Sequence, residues 1–410
     1  MKRLTHLITA LSLAGAACAV LPAYGKGAPD GFATGVTGGG NAAVVRPRDL
    51  NELSKALCNA TDAKGNCVDD TPRVIEIDRT FDYTGSRLIH GSPTTTETGC
   101  VMRQCPAGVQ SELALNGSNF CSGRTPAQVT YDNAGRSPLL VGANKTLQGR
   151  GRDAGIKGTG LSIKGGVRNV IVQNVTLSDI NANVIWGGDA LTIDNADGVW
   201  IDHNRFARIG RQMIVTGFGA ASRVTISNNE FDGNTPTASF CDGHHYWLWL
   251  FLGANDSITL ARNYIHHTSG RGPHAGGMRD AHPVVHMVNN YFENLSGQGA
   301  AMSRTGLSQL LLEGNYFKQV THPLLDDAQQ PGLAYAPFPG PYRPEYAYCR
   351  QYLGRDCVAN EAVDSGTDYR PLDQGAIAAF ANRGNALVTP MPAGEVPDVV
   401  PKNAGVGVVD

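Results

Sequence analysis

All four tryptophans of this chain fall between residues 186 and 249: Trp186, Trp200, Trp247 and Trp249. Flat rings gathered in so short a stretch suit stacking on sugar rings. Trp186 and Trp247 are the candidates for ligand contact; Trp200, inside the strand-like Val199-Trp200-Ile201, reads as core. Two histidine pairs, His244-His245 and His266-His267, offer metal-ligating atoms, but their order matches no established ligand spacing, so packed or surface histidines are expected. Gly149-Arg150-Gly151 lacks the strand-to-helix context of a phosphate loop and reads as a turn. Asp326-Asp327 is the adjacent acidic pair of the later chain, where a hydrolase would need paired carboxylates; it reads as loop.

Cysteine usage and the N-terminus point to export. Lys2 and Arg3 precede an apolar stretch over residues 7–21, too short to span a bilayer comfortably, followed by small residues. Residues 1–25 are therefore expected to be a removed signal peptide, cut after Ala19 or Gly25, and the product to be secreted with no membrane anchor. Cys18 leaves with it, and the even set Cys58, Cys67, Cys100, Cys105, Cys121, Cys241, Cys349 and Cys357 implies four disulfides. Spacing alone does not give their connectivity, although Cys58 with Cys67 and Cys349 with Cys357 would each close a short loop.

The elements that must position these groups show as a repeat. Six segments share alternating aliphatics followed by Asn: Asn174, Asn204, Asn229, Asn263, Asn290 and Asn315 end runs such as Val224-Thr225-Ile226-Ser227-Asn228-Asn229. A short β-branched strand recurring at this period, with no helical period between, predicts stacked parallel coils. Each coil must turn after its strand, and Asn tolerates the left-handed backbone region, so these residues are expected at the turn with their amides stacked. The pattern predicts an all-β chain, a parallel β-helix over about residues 140–325, with long loops pushed out to build a side cleft. A short helix over 51–57 capped by Asn51 would close one end. Residues 84–136 read as a disulfide-pinned excursion, residues 331–344 as a surface loop, and the tail as packing on the outside.

Composition agrees. Of 410 residues 50 are Gly, and only 17% are charged, which fits many turns between short strands and excludes a disordered chain. The net charge is −2, about −4 without the signal, and no basic run supports a nucleic-acid partner. One solenoid domain over 26–410 accounts for the mature chain.

Four segments carry a resemblance: Gly187-Gly188-Asp189-Ala190-Leu191-Thr192, Val199-Trp200-Ile201-Asp202-His203, Ala207-Arg208-Ile209-Gly210-Arg211-Gln212 and Cys241-Asp242-Gly243-His244-His245-Tyr246-Trp247. With His267-Thr268-Ser269-Gly270-Arg271-Gly272-Pro273, the glycine-rich opening at 31–40 and Tyr352-Leu353-Gly354-Arg355-Asp356-Cys357, they closely resemble the pectin lyases of polysaccharide lyase family 1, which also contains the pectate lyases. The resemblance is collinear over nearly the whole mature chain. It implies a single-stranded right-handed parallel β-helix and β-elimination on α-1,4-linked, methyl-esterified polygalacturonate, leaving an unsaturated sugar.

By position in the matching motifs, Arg271 corresponds to the catalytic arginine thought to act as base, which requires a lowered pKa in a crowded cationic site. Arg211 stands where pectate lyases place a calcium-binding carboxylate, and Asp189 corresponds to the neighbouring aspartate. The resemblance thus implies an Asp189–Arg211 pair in place of metal and no cofactor, with calcium entering only if the chain is a pectate lyase. His274 takes the place of a basic residue after Arg-x-Pro, and with Trp186 and Trp247 it is expected to bind substrate. Met102 and Phe120 stand where a Trp-rich cleft would be expected. The resemblance also implies disulfides Cys100–Cys121, Cys105–Cys241 and Cys349–Cys357, leaving Cys58 for Cys67. The expected partner is a pectic polysaccharide met by a monomer; a calcium-dependent pectate lyase, a β-helix hydrolase and a non-catalytic carbohydrate-binding β-helix are the competing readings.

Overall fold

The computed structural model describes residues 27–409 apart from 89–90, 278–280, 297–302, 305–306, 326–332 and 367–368. The signal-peptide segment and Asp326-Asp327 lie outside the described residues. Among the described residues the chain winds through three parallel sheets of ten, nine and seven strands. One turn of the coil runs through Ala196–Asp202, Arg205–Ile209 and Ile214–Thr216, one strand in each sheet, before Ala221–Ser227 opens the next.

Register explains why alternating aliphatics build this coil. Val170, Val199, Val224, Ile258, Val285 and Leu310 pair in succession along the ten-stranded sheet. Because side chains alternate across a strand, every second residue of each coil points to the same interior, and all six are buried in one core. In the nine-stranded sheet Phe206 stacks on Phe231 and Phe292 on Phe317, both pairs at 4.9 Å between ring centres. Trp249, fully buried, meets the Phe231 ring edge-on at 5.0 Å. Burying each such ring contributes about 1.5–3 kcal/mol.

The asparagine stack differs from its expected form in two ways. Its members are Asn204, Asn229, Asn263, Asn290, Asn315 and Asn360; from Asn229 on, each side-chain oxygen accepts from both the backbone N–H and the Nδ2 of the Asn one coil earlier, at 2.8–3.1 Å. Asn174 is not a member: Gln173 pairs with Asp202, so Val175 occupies the Asn204 level and its N–H donates to that amide. The left-handed residue is the one before each stacked Asn from Asn204 to Asn315, namely His203, Asn228, Arg262, Asn289 and Gly314, and Asn174 itself in the earlier coil. A buried Asn in a ladder is chosen for its paired donor and acceptor; the turn is made by its neighbour.

The solenoid also extends beyond 140–325. Val44–Val45 and Arg73–Ile77 precede Lys145–Gly149 in the ten-stranded sheet, and Leu333–Tyr335 and Glu361–Val363 add a coil at the other end, so part of the expected 331–344 loop is a buried strand. The end helix spans Leu50–Leu57; its N-cap is Asp49, which accepts from the Glu52 N–H at 2.8 Å, so Asn51 falls inside the first turn. Leu53, Ala56 and Leu57 lie on its buried face and close the first coil.

Residues 31–40 cover the outside of the ten-stranded sheet. The Phe32 N–H donates to Thr259 Oγ1 and the Gly39 N–H to Thr146 Oγ1, and a Cβ on Gly38 would come within 2.2 Å of that Thr146 hydroxyl. This strip buries Trp200 with Ala33, Val36 and Ile171. The excursion over 84–136 carries an antiparallel pair, Thr94–Val101 with Pro126–Asp132, and Leu113–Ala114 joins it to Val184–Ile185 of the coil. The C-terminal helix Val396–Asn403 packs Val396 and Val400 on Tyr291, outside the nine-stranded sheet. No described helix is long and apolar enough to cross a membrane.

Candidate active site

The connections from the nine-stranded to the seven-stranded sheet carry five of the candidate residues. Residues 181–190 carry Trp186 and Asp189, residues 210–213 carry Arg211, residues 233–248 carry Trp247 and residues 267–273 carry Arg271. Parallel stacking therefore gathers groups up to 85 positions apart on one side of the molecule.

Asp189 and Arg211 face one another, Nη1 to Oδ2 at 3.6 Å, and the other carboxylate oxygen accepts from the Gln212 N–H at 2.8 Å. The Arg211 guanidinium lies 3.8 Å above the centre of the Trp186 ring. Arg271 lies 4.6 Å above Trp247 and 5.9 Å from Tyr246. Both tryptophans thus back an arginine instead of lying open to solvent. Trp247 is only 6% exposed, with Arg271 over the ring face that was expected to meet sugar. Trp186 is half-buried, with Phe120 edge-on at 6.4 Å. An indole face attracts a guanidinium through its quadrupole, so these stacks orient the cations without spending their N–H donors. Among the described residues Arg271 Nε and Nη1 and Arg211 Nε have no hydrogen-bond partner.

Burial is the main force on the ionisable groups. It raises the Asp189 pKa, against the pull of Arg211 and Arg271. It lowers that of Arg211, which Asp189 opposes. It also lowers that of Arg271; Tyr246 and Asp189 oppose this and the Arg211 charge adds to it. Two guanidiniums and one carboxylate leave the site cationic and ready to meet developing negative charge.

The walls are held by a packed histidine, as expected of the His244-His245 pair, and by a glutamate the sequence did not single out. His245 is buried, its pKa pushed down to about 4, and the neutral ring bonds the Arg211 carbonyl at 2.9 Å. Its own carbonyl accepts from the Ser269 N–H at 2.9 Å, tying the Arg211 and Arg271 loops together. Behind Trp247, Glu112 is completely buried; Ser239 Oγ donates to its Oε2, and Trp247 Nε1 donates to the same oxygen at 3.4 Å. Burial pushes the Glu112 pKa up to about 7. A lone Glu between two short strands carries no sequence signal of this. His274 sits on the strand His274–Ala275, three residues past Arg271, paired with Leu250 and Ser303.

The structure forms Cys58–Cys67, Cys100–Cys121, Cys105–Cys241 and Cys349–Cys357. Cys105–Cys241 fastens the excursion to the loop carrying Trp247. Of the histidine pairs, His266 lies with Glu230 and Asp232, ligand atoms within 4.8 Å of one another, on the nine-stranded sheet. Arg205 already reaches both carboxylates, at 3.2 Å and 2.6 Å, so that cluster is charge-compensated from within.

A family model described as pectate lyase matches residues 106–330. A relative named probable pectin lyase F from Aspergillus niger is 41% identical over 410 residues, 99% of this chain and 80% of the relative. A protein of the same name from Neosartorya fischeri is 41% identical over 395 residues, covering 95% and 97%. Among solved structures, a pectate lyase from Bacillus sp. N165 in complex with trigalacturonate aligns with a TM-score of 0.55 at 19% identity, covering 93% of this chain and all of the other. Pectate lyase II from Xanthomonas campestris aligns at 0.56 with 17% identity, covering 93% and 98%. These last two share the right-handed parallel β-helix.

Proposed function

This chain belongs to the pectate lyase family, and from that premise we propose that it is an exported pectin lyase cleaving methyl-esterified polygalacturonate by β-elimination without calcium. The observation that carries the reading is the site itself: two indole-backed guanidiniums beside a single buried carboxylate.

In β-elimination a base takes the proton from C5, the electrons form the C4–C5 double bond, and the C4–O bond breaks with its oxygen leaving to take up a proton. Charge develops on the C6 carboxyl oxygens as the C5 proton departs. In this reading Arg271 is the base, since burial and the nearby Arg211 both disfavour its cation. Arg211, whose Nε has no partner among the described residues, meets the charge growing on the carboxyl group. Asp189 holds Arg211 and the start of the next strand through the Gln212 N–H. An esterified chain brings no negative charge to the cleft, which suits a site that needs few cations.

The donor set does not fit calcium. One Asp189 oxygen is taken by a backbone N–H, the other faces Arg211, and Arg271 adds a second positive charge. A dication needs six to eight oxygen ligands, mostly anionic or carbonyl, and here would meet two guanidiniums. The test is ultraviolet detection of the unsaturated product from methylated and demethylated polymer, with and without chelator. Cleavage of the methylated polymer that survives chelation is expected. Loss of activity on chelation, or products lacking the double bond, would overturn the proposal.

A further inference from the structure

Beside the Asp189 loop the excursion forms a cavity of about 630 Å³ lined by Ser92, Thr95, Tyr131, Asn133, Arg136 and Ser137. This is within the size range of small-ligand sites. The wall is rigid: Thr95 Oγ1 donates to Asn133 Oδ1 at 2.8 Å and Asn133 Nδ2 donates to the Ser92 carbonyl at 2.9 Å. Tyr131 is buried to its hydroxyl, which accepts from Arg136 Nη1 at 2.8 Å while the guanidinium lies 5.1 Å from its ring. Among the described residues Arg136 forms no ion pair. The nearby Asp132 is engaged elsewhere, accepting from the Ala134 and Gly85 N–H groups. The Arg136 cation is thus aimed by an aromatic ring and a phenol, with most of its planar fork left for an incoming acceptor.

The cavity is built onto the active-site loop. Asn181 accepts from the Asp132 N–H at 2.8 Å and donates to the carbonyls of Asp132 and Gly187 at 2.9 Å and 2.8 Å. Gly135 and Gly188 touch so closely that a Cβ on Gly188 would come within 2.1 Å of the Gly135 carbonyl. Arg136 and Asp189 are the next residues on either side of that contact.

We propose that this cavity is a distal subsite that takes an unesterified uronate of the pectic chain, with Arg136 as the partner of its free carboxylate. The inference rests on the lyase reading for the identity of the chain. A guanidinium fork pairs a carboxylate bidentately, and a methyl ester removes both the charge and one acceptor geometry. Tyr131, Asn133 and Ser137 supply hydroxyl and amide groups of the kind that bind sugar hydroxyls. The catalytic cleft would then handle esterified residues while the subsite recognises a free acid farther along, favouring partly de-esterified polymer.

The experiment compares the wild-type protein with Arg136→Ala and Arg136→Lys on nearly fully methylated and on half de-esterified pectin, together with retention on pectate-coupled beads. Arg136→Ala is expected to raise KM three- to tenfold on the de-esterified polymer with kcat unchanged. Both constants should stay unchanged on the methylated one, with release from beads at lower salt and partial rescue by Lys. Equal KM for wild type and Arg136→Ala on the de-esterified polymer, or equal increases on both polymers, would overturn the subsite. If the wild-type protein cleaves neither polymer the lyase reading falls, and bead retention still decides Arg136: unchanged retention rejects it, lowered retention supports it.

Discussion

Replacing Glu112 with Gln should change how the stability of this protein depends on pH. The carboxyl sits behind Trp247, which backs Arg271, and its pKa is raised from 4.5 to about 7 by burial, with Asp242 adding to the shift. Between those two values the folded state holds a proton that the unfolded chain releases, so stability is fully present below the unfolded pKa and is lost as pH rises through 7. At 1.36 kcal/mol per unit, the loss between pH 5 and pH 8 comes to about 2–3 kcal/mol. Gln keeps the side-chain volume and an acceptor for Ser239 and Trp247 but does not ionise. Unfolding by denaturant at pH 5, 6, 7 and 8 should show the wild-type curve falling relative to Glu112→Gln by that amount, most steeply between pH 5 and 7. Asp256, raised to about 6 for the same reason, is present in both proteins and cancels in the difference. Parallel curves for the two proteins would refute the argument, because they would mean that Glu112 titrates alike in the folded and unfolded chain.

Arg271→Lys should keep some activity and move the rising alkaline limb of kcat/KM to lower pH by about two units, since lysine ordinarily loses its proton about two units below arginine; a limb that stays in place would remove Arg271 from the role of base. Asn263→Ala, within the amide ladder, leaves the Asn229 N–H and the Ile226 carbonyl without their partners and should cost about 2–4 kcal/mol. Asn360→Ala, at the end of the ladder, should cost less, and calorimetric melting of both variants checks the order.

The coil was legible because a solenoid repeats its own physics. Val224, Ile258 and Val285 occupy one interior column, and that regularity shows as period and spacing. Which residue makes the turn was not legible, because His203, Arg262 and Gly314 share a conformation and no chemistry. Arg271, Arg211 and Asp189 came into view only through motif resemblance; nothing in their separations says that three loops bring them together. The direction that the Trp186 and Trp247 rings face was not legible for a related reason. A composition cluster marks where aromatic surface is spent but not its direction, and here Trp247 faces an arginine. Glu112 was invisible because its role depends on a fold neighbour 135 positions away.

The amide ladder also works as a ruler. Neighbouring strands lie about 4.8 Å apart, so every loop leaves the coil at a height fixed in whole steps of that size. Asp189 and Arg211 precede strands one step apart, and Arg271 precedes a strand two steps beyond Arg211. Fine placement of a charge between those steps cannot come from sliding the backbone, because a slip would break an asparagine pair. It has to come from side-chain reach. Long arginines leaning on fixed indoles can interpolate along a discrete axis, so substrate spacing can be tuned in the loops while the scaffold keeps its register.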